Sequence, residues 1–269
     1  MRERTNALLG SGLLAVVLTA GLAAQMPGVH PVSGRRFAPV MGYQGAGWLE
    51  RSEREEEESP DVALNVLKIP KGASVADIGA GSGYITVRLA ARVGPTGRVF
   101  ANDLQPQMLD ILARRLSNSK ITNVTLVEGT LDDPKLPPAS VDLALMVDVY
   151  HELSQPQAML RRLRESLKPG GRLVLLEYRK EDPTVPIKPE HKMSVAAAKM
   201  EVEAEGFTLT KVDEALPRQH ILNFVATPSP QALCYSPSRR FSSFSCRSCS
   251  GSISFRARAR MARTATGCC

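Results

Sequence analysis

The sequence predicts an α/β fold: a doubly wound, mostly parallel sheet of seven strands with helices on both faces. Three observations predict it. Short apolar runs alternate with helical patterns from residue 74 to residue 226. The runs are continuous rather than alternately apolar and polar, as in strands covered on both faces. A glycine-rich turn joins the first run to the first helix of the series, where doubly wound sheets hold their ligands.

Residues 1–25 read as a secretory signal or a membrane anchor. Arg2 and Arg4 precede an apolar run over 8–24 that closes on the small residues Ala23 and Ala24. This implies an exported or membrane-associated protein, with 8–24 as the segment that contacts a membrane. Residues 26–59 read as a linker with a possible lid. Pro27, Pro31 and Pro39 break it, and Phe37, Tyr43 and Trp48 offer apolar surface to a pocket. The acidic run 55–58 reads as a solvated helix face. Ser59 is placed to cap a helix whose first position is Pro60, with Asp61 facing the positive end of its dipole.

The domain proper is expected over 60–228. Its strands are predicted at 74–78, 98–102, 124–128, 141–147, 173–177, 208–212 and 221–226. Helices are predicted at 84–93, 106–116, 155–167 and 195–205, the last stopped by Gly206. Lys168-Pro169-Gly170-Gly171 ends one helix and turns the chain into the next strand.

Residues 229–269 are different material, a tail rich in serine, arginine and cysteine that is expected to be disordered. Its seven arginines, with no lysine and no acid, account for the whole net charge of +7. Residues 1–228 are therefore formally neutral, which argues against a specific nucleic-acid partner. All five cysteines lie in the tail. Cys246 and Cys249 have zinc-knuckle spacing but no histidine nearby, so no metal is expected there. The body has no thiolate nucleophile, and chemistry that needs one is excluded from it.

The chemistry is concentrated after the strands. Asp77, Gly79, Gly81, Gly83 and Tyr84 form an acid followed by G-x-G-x-G at the first strand–helix junction. A dinucleotide fingerprint, G-x-G-x-x-G, would need glycine at Tyr84. The stretch instead resembles the first motif of class I S-adenosylmethionine (SAM)-dependent methyltransferases, and with it comes the expectation of a Rossmann-like sheet. The resemblance covers residues 60–226 and is similar to the small-molecule branch that includes the ubiquinone/menaquinone-type enzymes.

That resemblance implies SAM as cofactor and a small-molecule acceptor as partner, and the need for SAM implies cytoplasmic access, against the export or anchoring that residues 1–25 imply. Asp77 would help hold the ammonium of the methionyl end, with Gly79, Gly81, Gly83 and Tyr84 around it. Asp103 would take the ribose hydroxyls, and Leu104 would lie against the adenine. Gly129, Thr130 and Leu131 follow the third strand; the family commonly has an acid where Thr130 stands, so either Thr130 or Asp132 would accept from the adenine amine. After the fourth strand comes Asp148-Val149-Tyr150-His151-Glu152. Here Asp148 faces the cofactor, Tyr150 is a positioning group and His151 the candidate base, since histidine exchanges protons near neutral pH. Asp148 and Glu177 stand where a catechol-type metal site has acids, but Tyr178 occupies the next position, so no metal is expected. Residues 37–48 and the proline-rich loop 183–193, which carries His191, are the variable lids from which acceptor-binding residues would come, although His191 on such a loop also reads as simply exposed. Two other readings stand beside methyl transfer: an NAD(P)-dependent oxidoreductase, which would share Asp103, and a SAM-binding protein without catalysis.

Overall fold

The computed structural model describes residues 28–227. The expectations for 1–25 and for 229–269 fall outside the described residues. Among the described residues, no helix is long and apolar enough to cross a membrane.

In chain order the elements are α1 (Ala46–Leu49), α2 (Arg54–Glu58), α3 (Pro60–Val66), β1 (Ser74–Ile78), α4 (Tyr84–Val93), β2 (Arg98–Asp103), α5 (Pro106–Asn118), β3 (Val124–Glu128) and β4 (Val141–Val147). There follow α6 (Pro156–Ser166), β5 (Leu167–Tyr178), α7 (Val195–Glu203), β6 (Phe207–Asp213) and β7 (Gln219–Ala226). The seven strands form one sheet in the order β3-β2-β1-β4-β5-β7-β6. β1 to β5 pair in parallel, and β7 runs antiparallel to both β5 and β6.

Successive residues of the central strands face opposite sides, and helices cover both. Val174 and Leu176 join Leu64, Leu89 and Val93 of α3 and α4 on one face. Leu173 and Leu175 join Leu160, Leu163 and Val202 of α6 and α7 on the other. α5 completes the first face through Leu112 and Leu116, packed on Ala101. The sequence order reverses between β1 and β4. Connections from these two neighbours therefore leave in opposite directions, and a crevice opens at their C-terminal ends.

Several local expectations change. Ser59 makes no side-chain cap; its φ is +48° and its N–H bonds Glu55, so it ends α2 while starting α3. With no free turn between the two helices, the residue must take a left-handed corner instead of a capping conformation. The 168–171 turn belongs to β5 as an irregularity in its pairing with β4, where Val141 meets Leu167 but Leu143 meets Arg172. Of the acidic run, Glu58 is buried, since it pairs with Arg54 Nε at 2.6 Å and with Arg51 Nη2 at 3.0 Å.

Residues 28–59 pack on the domain. Arg35 is their main anchor: its guanidinium gives Nε and Nη2 to the two carboxylate oxygens of Glu201 in α7, at 3.0 and 2.9 Å. Its remaining arm donates to the carbonyl of His151 at 3.0 Å. Glu201 is fully buried, with His30 Nε2 3.5 Å away and Ser33 donating to it. A buried bidentate pair of this kind is costly to break from one side, because the surviving charge stays desolvated. Glu201→Ala is accordingly expected to lower unfolding free energy by about 3–5 kcal/mol in a denaturant titration. A loss below about 1 kcal/mol, as for an exposed pair, would contradict this assignment.

Candidate active site

Two adjoining cavities occupy the crevice. The first lies over the tips of β1, β2 and β3 and is edged by Gly79, Gly81, Asp103, Leu104, Thr130 and Leu131. The second, of about 470 Å³, lies beyond β4 and is edged by Val147, His151, Tyr178, Ile187 and His191. Val40, Met41, Leu49, Asp148 and Glu152 belong to the walls of both. Met41 and Leu49 come from the N-terminal segment, so the stretch read as a linker with a possible lid lies over the cavities. Gln105 fastens it there, donating to the Met41 carbonyl and accepting from the Tyr43 N–H, both at 2.9 Å.

The first cavity is organised by Asp103. Its Oδ2 accepts from the Gly81 N–H at 2.9 Å and its Oδ1 from the Gln105 N–H at 2.8 Å. These bonds orient the carboxylate and leave lone pairs on both oxygens for a ligand's hydroxyls. Gly81 has a φ of +54°, and a Cβ there would come within 2.9 Å of Leu49. Thr130 gives its hydroxyl to Asp132 at 2.7 Å, and Asp132 is absent from the cavity wall.

Other predicted residues support the cavity without lining it. Gly83 sits under Leu112, which would be 2.2 Å from an added Cβ. Gly129 donates its N–H to the Asp103 carbonyl at 3.0 Å. Tyr84 lies between the guanidinium groups of Arg54 and Arg88, at 4.2 and 4.1 Å, and its hydroxyl donates to Glu55 at 2.5 Å. It fastens α2 to α4. Asp77 is buried and accepts from the Thr86 hydroxyl at 2.6 Å. Burial pushes its carboxyl up to about 6, against the Thr86 bond, which lowers it.

Asp148 stands at the junction of the two cavities. It has a φ of +54°, uncommon outside glycine. Gln219 of β7 donates to its Oδ2 at 2.7 Å, and its Oδ1 is buried with no partner among the described residues. Burial, then Glu58 and Glu177, hold this carboxyl well above its ordinary range. A cationic ligand reverses that penalty.

His151 lines the second cavity and is nearly fully buried. Its Nδ1 is 2.5 Å from Glu177 Oε2, while Glu177 Oε1 accepts the Tyr150 N–H at 2.9 Å. With Nδ1–H given to Glu177, Nε2 carries the lone pair; it stands 3.1 Å from His191 Nδ1. Burial lowers the affinity of His151 for a proton, but Glu177 outweighs it and the net shift is upward. Glu152 is pushed up to about 7, chiefly by burial.

Tyr150 is a correction. It lines neither cavity; its ring is fully buried in the core with the Arg35 guanidinium 5.7 Å from its centre. Tyr150–Glu152 is a 3₁₀ turn, in which neighbouring side chains diverge by about 120°. If His151 faces the cavity, Tyr150 cannot. Of the two readings of His191, the structure has the one in which its loop brings it to the cavity wall. Glu177 and Gln219 carry no local motif, and only the strand-end position of Glu177 marked it in the sequence; Glu152 lies in the stretch after the fourth strand, which gave it no role of its own.

These features fit SAM. The oriented Asp103 pair suits a ribose, and the unpartnered Asp148 oxygen suits the positive charge of a sulfonium. The sheet separates this from a dinucleotide fold, whose order is 3-2-1-4-5-6 without an inserted antiparallel strand. Comparison with known proteins agrees. Residues 75–171 match a family described as "Methyltransferase domain". A ubiquinone/menaquinone biosynthesis C-methyltransferase of Hahella chejuensis is 32% identical over 117 residues, 43% of this chain and 46% of that protein. Its counterpart in Ectopseudomonas mendocina is 33% identical over 118 residues, 44% and 46% of the two chains. The chain thus spans about half the length of the curated relatives it matches. A SAM-dependent methyltransferase from Aquifex aeolicus superposes with a TM-score of 0.65 at 25% identity, over 69% of this chain and 98% of that one. The fold is thus that of the SAM-dependent methyltransferases to which this chain is similar.

The raised carboxyl of Asp77 has a consequence for stability. Between about pH 4 and pH 6 the unfolded chain loses a proton that the folded chain keeps, so stability falls as pH rises through that window and stays reduced above it. Asp77→Asn removes this deficit. Without ligand, it is expected to gain up to about 3 kcal/mol at pH 7.5, and the gain is expected to vanish near pH 4. Urea titrations at the two pH values test this; an equal difference at both would refute it.

Proposed function

We propose that this domain transfers the methyl group of SAM to a small-molecule acceptor held in the second cavity. The observation that carries the reading is the shared wall. A nucleoside-type cavity and a second, larger cavity meet at Asp148 and Glu152, with His151 on the far side.

When bound, SAM supplies an electrophilic methyl on a positively charged sulfur. The protein supplies the rest. Asp103, with Gly81 behind it, holds the nucleoside end, while Leu104 and Leu131 offer apolar surface to a base. Thr130 is the group nearest in sequence to the family's adenine acceptor. Asp148 faces the cation. Met41 and Leu49 give both cavities an apolar wall, which strengthens the charge interactions beside it.

The acceptor meets His151 at Nε2, the atom left open by the Glu177 bond. A hydroxyl or carbon acid must ionise to become a nucleophile, and Nε2 is where that ionisation is assisted. The apolar wall of Val147, Pro186, Ile187 and Trp48 favours an apolar acceptor with one ionisable group. The similarity to proteins named C-methyltransferases supports an acceptor of this size and kind. A binding protein without catalysis has no use for a buried Glu–His pair whose open atom faces a second cavity.

Two variants test the division of labour. Asp103→Ala is expected to weaken SAM binding at least about tenfold in calorimetry. His151→Ala is expected to bind SAM with unchanged affinity and to lose about 10²- to 10⁴-fold in labelled-methyl transfer to metabolite pools. Full turnover by His151→Ala would remove His151 from the mechanism, and absence of SAM binding by the unaltered chain would remove the proposal itself.

A further inference from the structure

We infer that His151 Nε2, His191 Nδ1 and a Glu152 carboxylate oxygen form a site for one divalent first-row transition-metal ion at the edge of the acceptor cavity. This deepens the proposed function and rests on its reading of the second cavity, since it names what occupies the open atom of His151.

The geometry is that of a ligand set. His151 Nε2 and His191 Nδ1 are 3.1 Å apart, His191 Nδ1 and Glu152 Oε1 are 3.8 Å apart, and the three ligand atoms lie within 4.8 Å of one another. Two nitrogens at about 2.1 Å from a common ion, separated by about 90–110°, stand about 3.0–3.4 Å apart. The two imidazole planes meet at 82°, so the rings converge edge to face instead of stacking. Glu152 stands on the third side.

A second observation is independent of these distances. Glu177, fully buried, fixes the other nitrogen of His151. A histidine held by a carboxylate behind it is the usual outer arrangement of a metal-binding imidazole; it sets the tautomer and makes the free nitrogen a better donor. A plain hydrogen bond between the two histidines accounts for the 3.1 Å contact but not for the approach of Glu152, whose carboxylate takes a backbone hydrogen bond from Met41 and still stands 3.8 Å from His191 Nδ1.

Two imidazoles and one carboxylate leave at least one position open, as in catalytic rather than structural sites. That position faces the cavity lined by Trp48, Val147 and Ile187. A hydroxyl of the acceptor coordinated there loses its proton to solvent at a lower pH, and the ion holds the resulting oxyanion. The ligand class follows: an apolar molecule bearing an acidic hydroxyl, such as a phenol or an enol.

The test uses the full chain, stripped with a chelator and titrated with Co²⁺. Cobalt on the thiolates of the tail gives a near-ultraviolet charge-transfer band beside its visible bands, whereas a nitrogen–oxygen site gives visible bands alone, so the titration is run with the cysteines alkylated. One equivalent of cobalt with visible absorption is expected. His191→Ala should weaken that binding at least about 100-fold, and Glu177→Gln, which leaves all three ligands in place, about 10- to 100-fold. Circular dichroism and SAM calorimetry on each variant report whether the fold and the first cavity survive. Visible absorption that His191→Ala leaves unchanged, or none in the unaltered chain, overturns the metal site. SAM binding in that same sample leaves methyl transfer standing, whereas cobalt binding without SAM binding would overturn the function and keep the site.

Discussion

The change of direction between β1 and β4 is the constraint from which the rest of the site follows. Strand order runs outward from β1 to β3 on one side and from β4 onward on the other. Neighbouring connections must part at that point, and no side chain of the sheet can fill the gap above it. The loop after β1 turns with Gly79 and Gly81 into one side of the gap, and Asp148 enters from the other at a left-handed φ. Asp103 bridges the first of these loops to the tip of β2 through the Gly81 N–H. Each site residue is thus carried by a strand end whose position the sheet has already set.

Charge within this gap is arranged against the interest of the ligand-free fold. Asp77, Asp148 and Glu152 all have carboxyls that burial makes harder to ionise. Glu177 beside them has both oxygens engaged, one by a backbone N–H and one by an imidazole. Of the three, Asp148 alone leaves a buried oxygen without a partner among the described residues, at the wall that the two cavities share. Natural folds carry such local penalties where function requires them.

Much of the sheet was legible because buried strands leave continuous apolar runs and the helices between them leave a 3.6-residue period. The direction of β7 was not. Its residues are buried on both faces from Gln219 to Phe224, and a run of that kind reads the same in either sense. Asp103 and the glycine turn were legible because their chemistry is local. The pairing of His151 with His191 was not, since 40 residues separate them and only the fold closes the distance. Nor does a string of glutamates reveal that one of them, Glu58, is neutralised by Arg54 and Arg51 in the interior. Tyr150, expected as a positioning group, turns into the core because a tight helical turn sends it and His151 in different directions.

Met41 and Leu49 form a roof common to both compartments. A guest beneath either one settles the same two side chains, so the occupancy of one compartment alters the work of filling its neighbour. Such linkage is mutual by thermodynamic necessity: whatever factor the first guest imposes on the second, the second imposes on the first. Order of arrival, and how long a spent nucleoside lingers, are therefore written into two apolar side chains that touch no reacting atom.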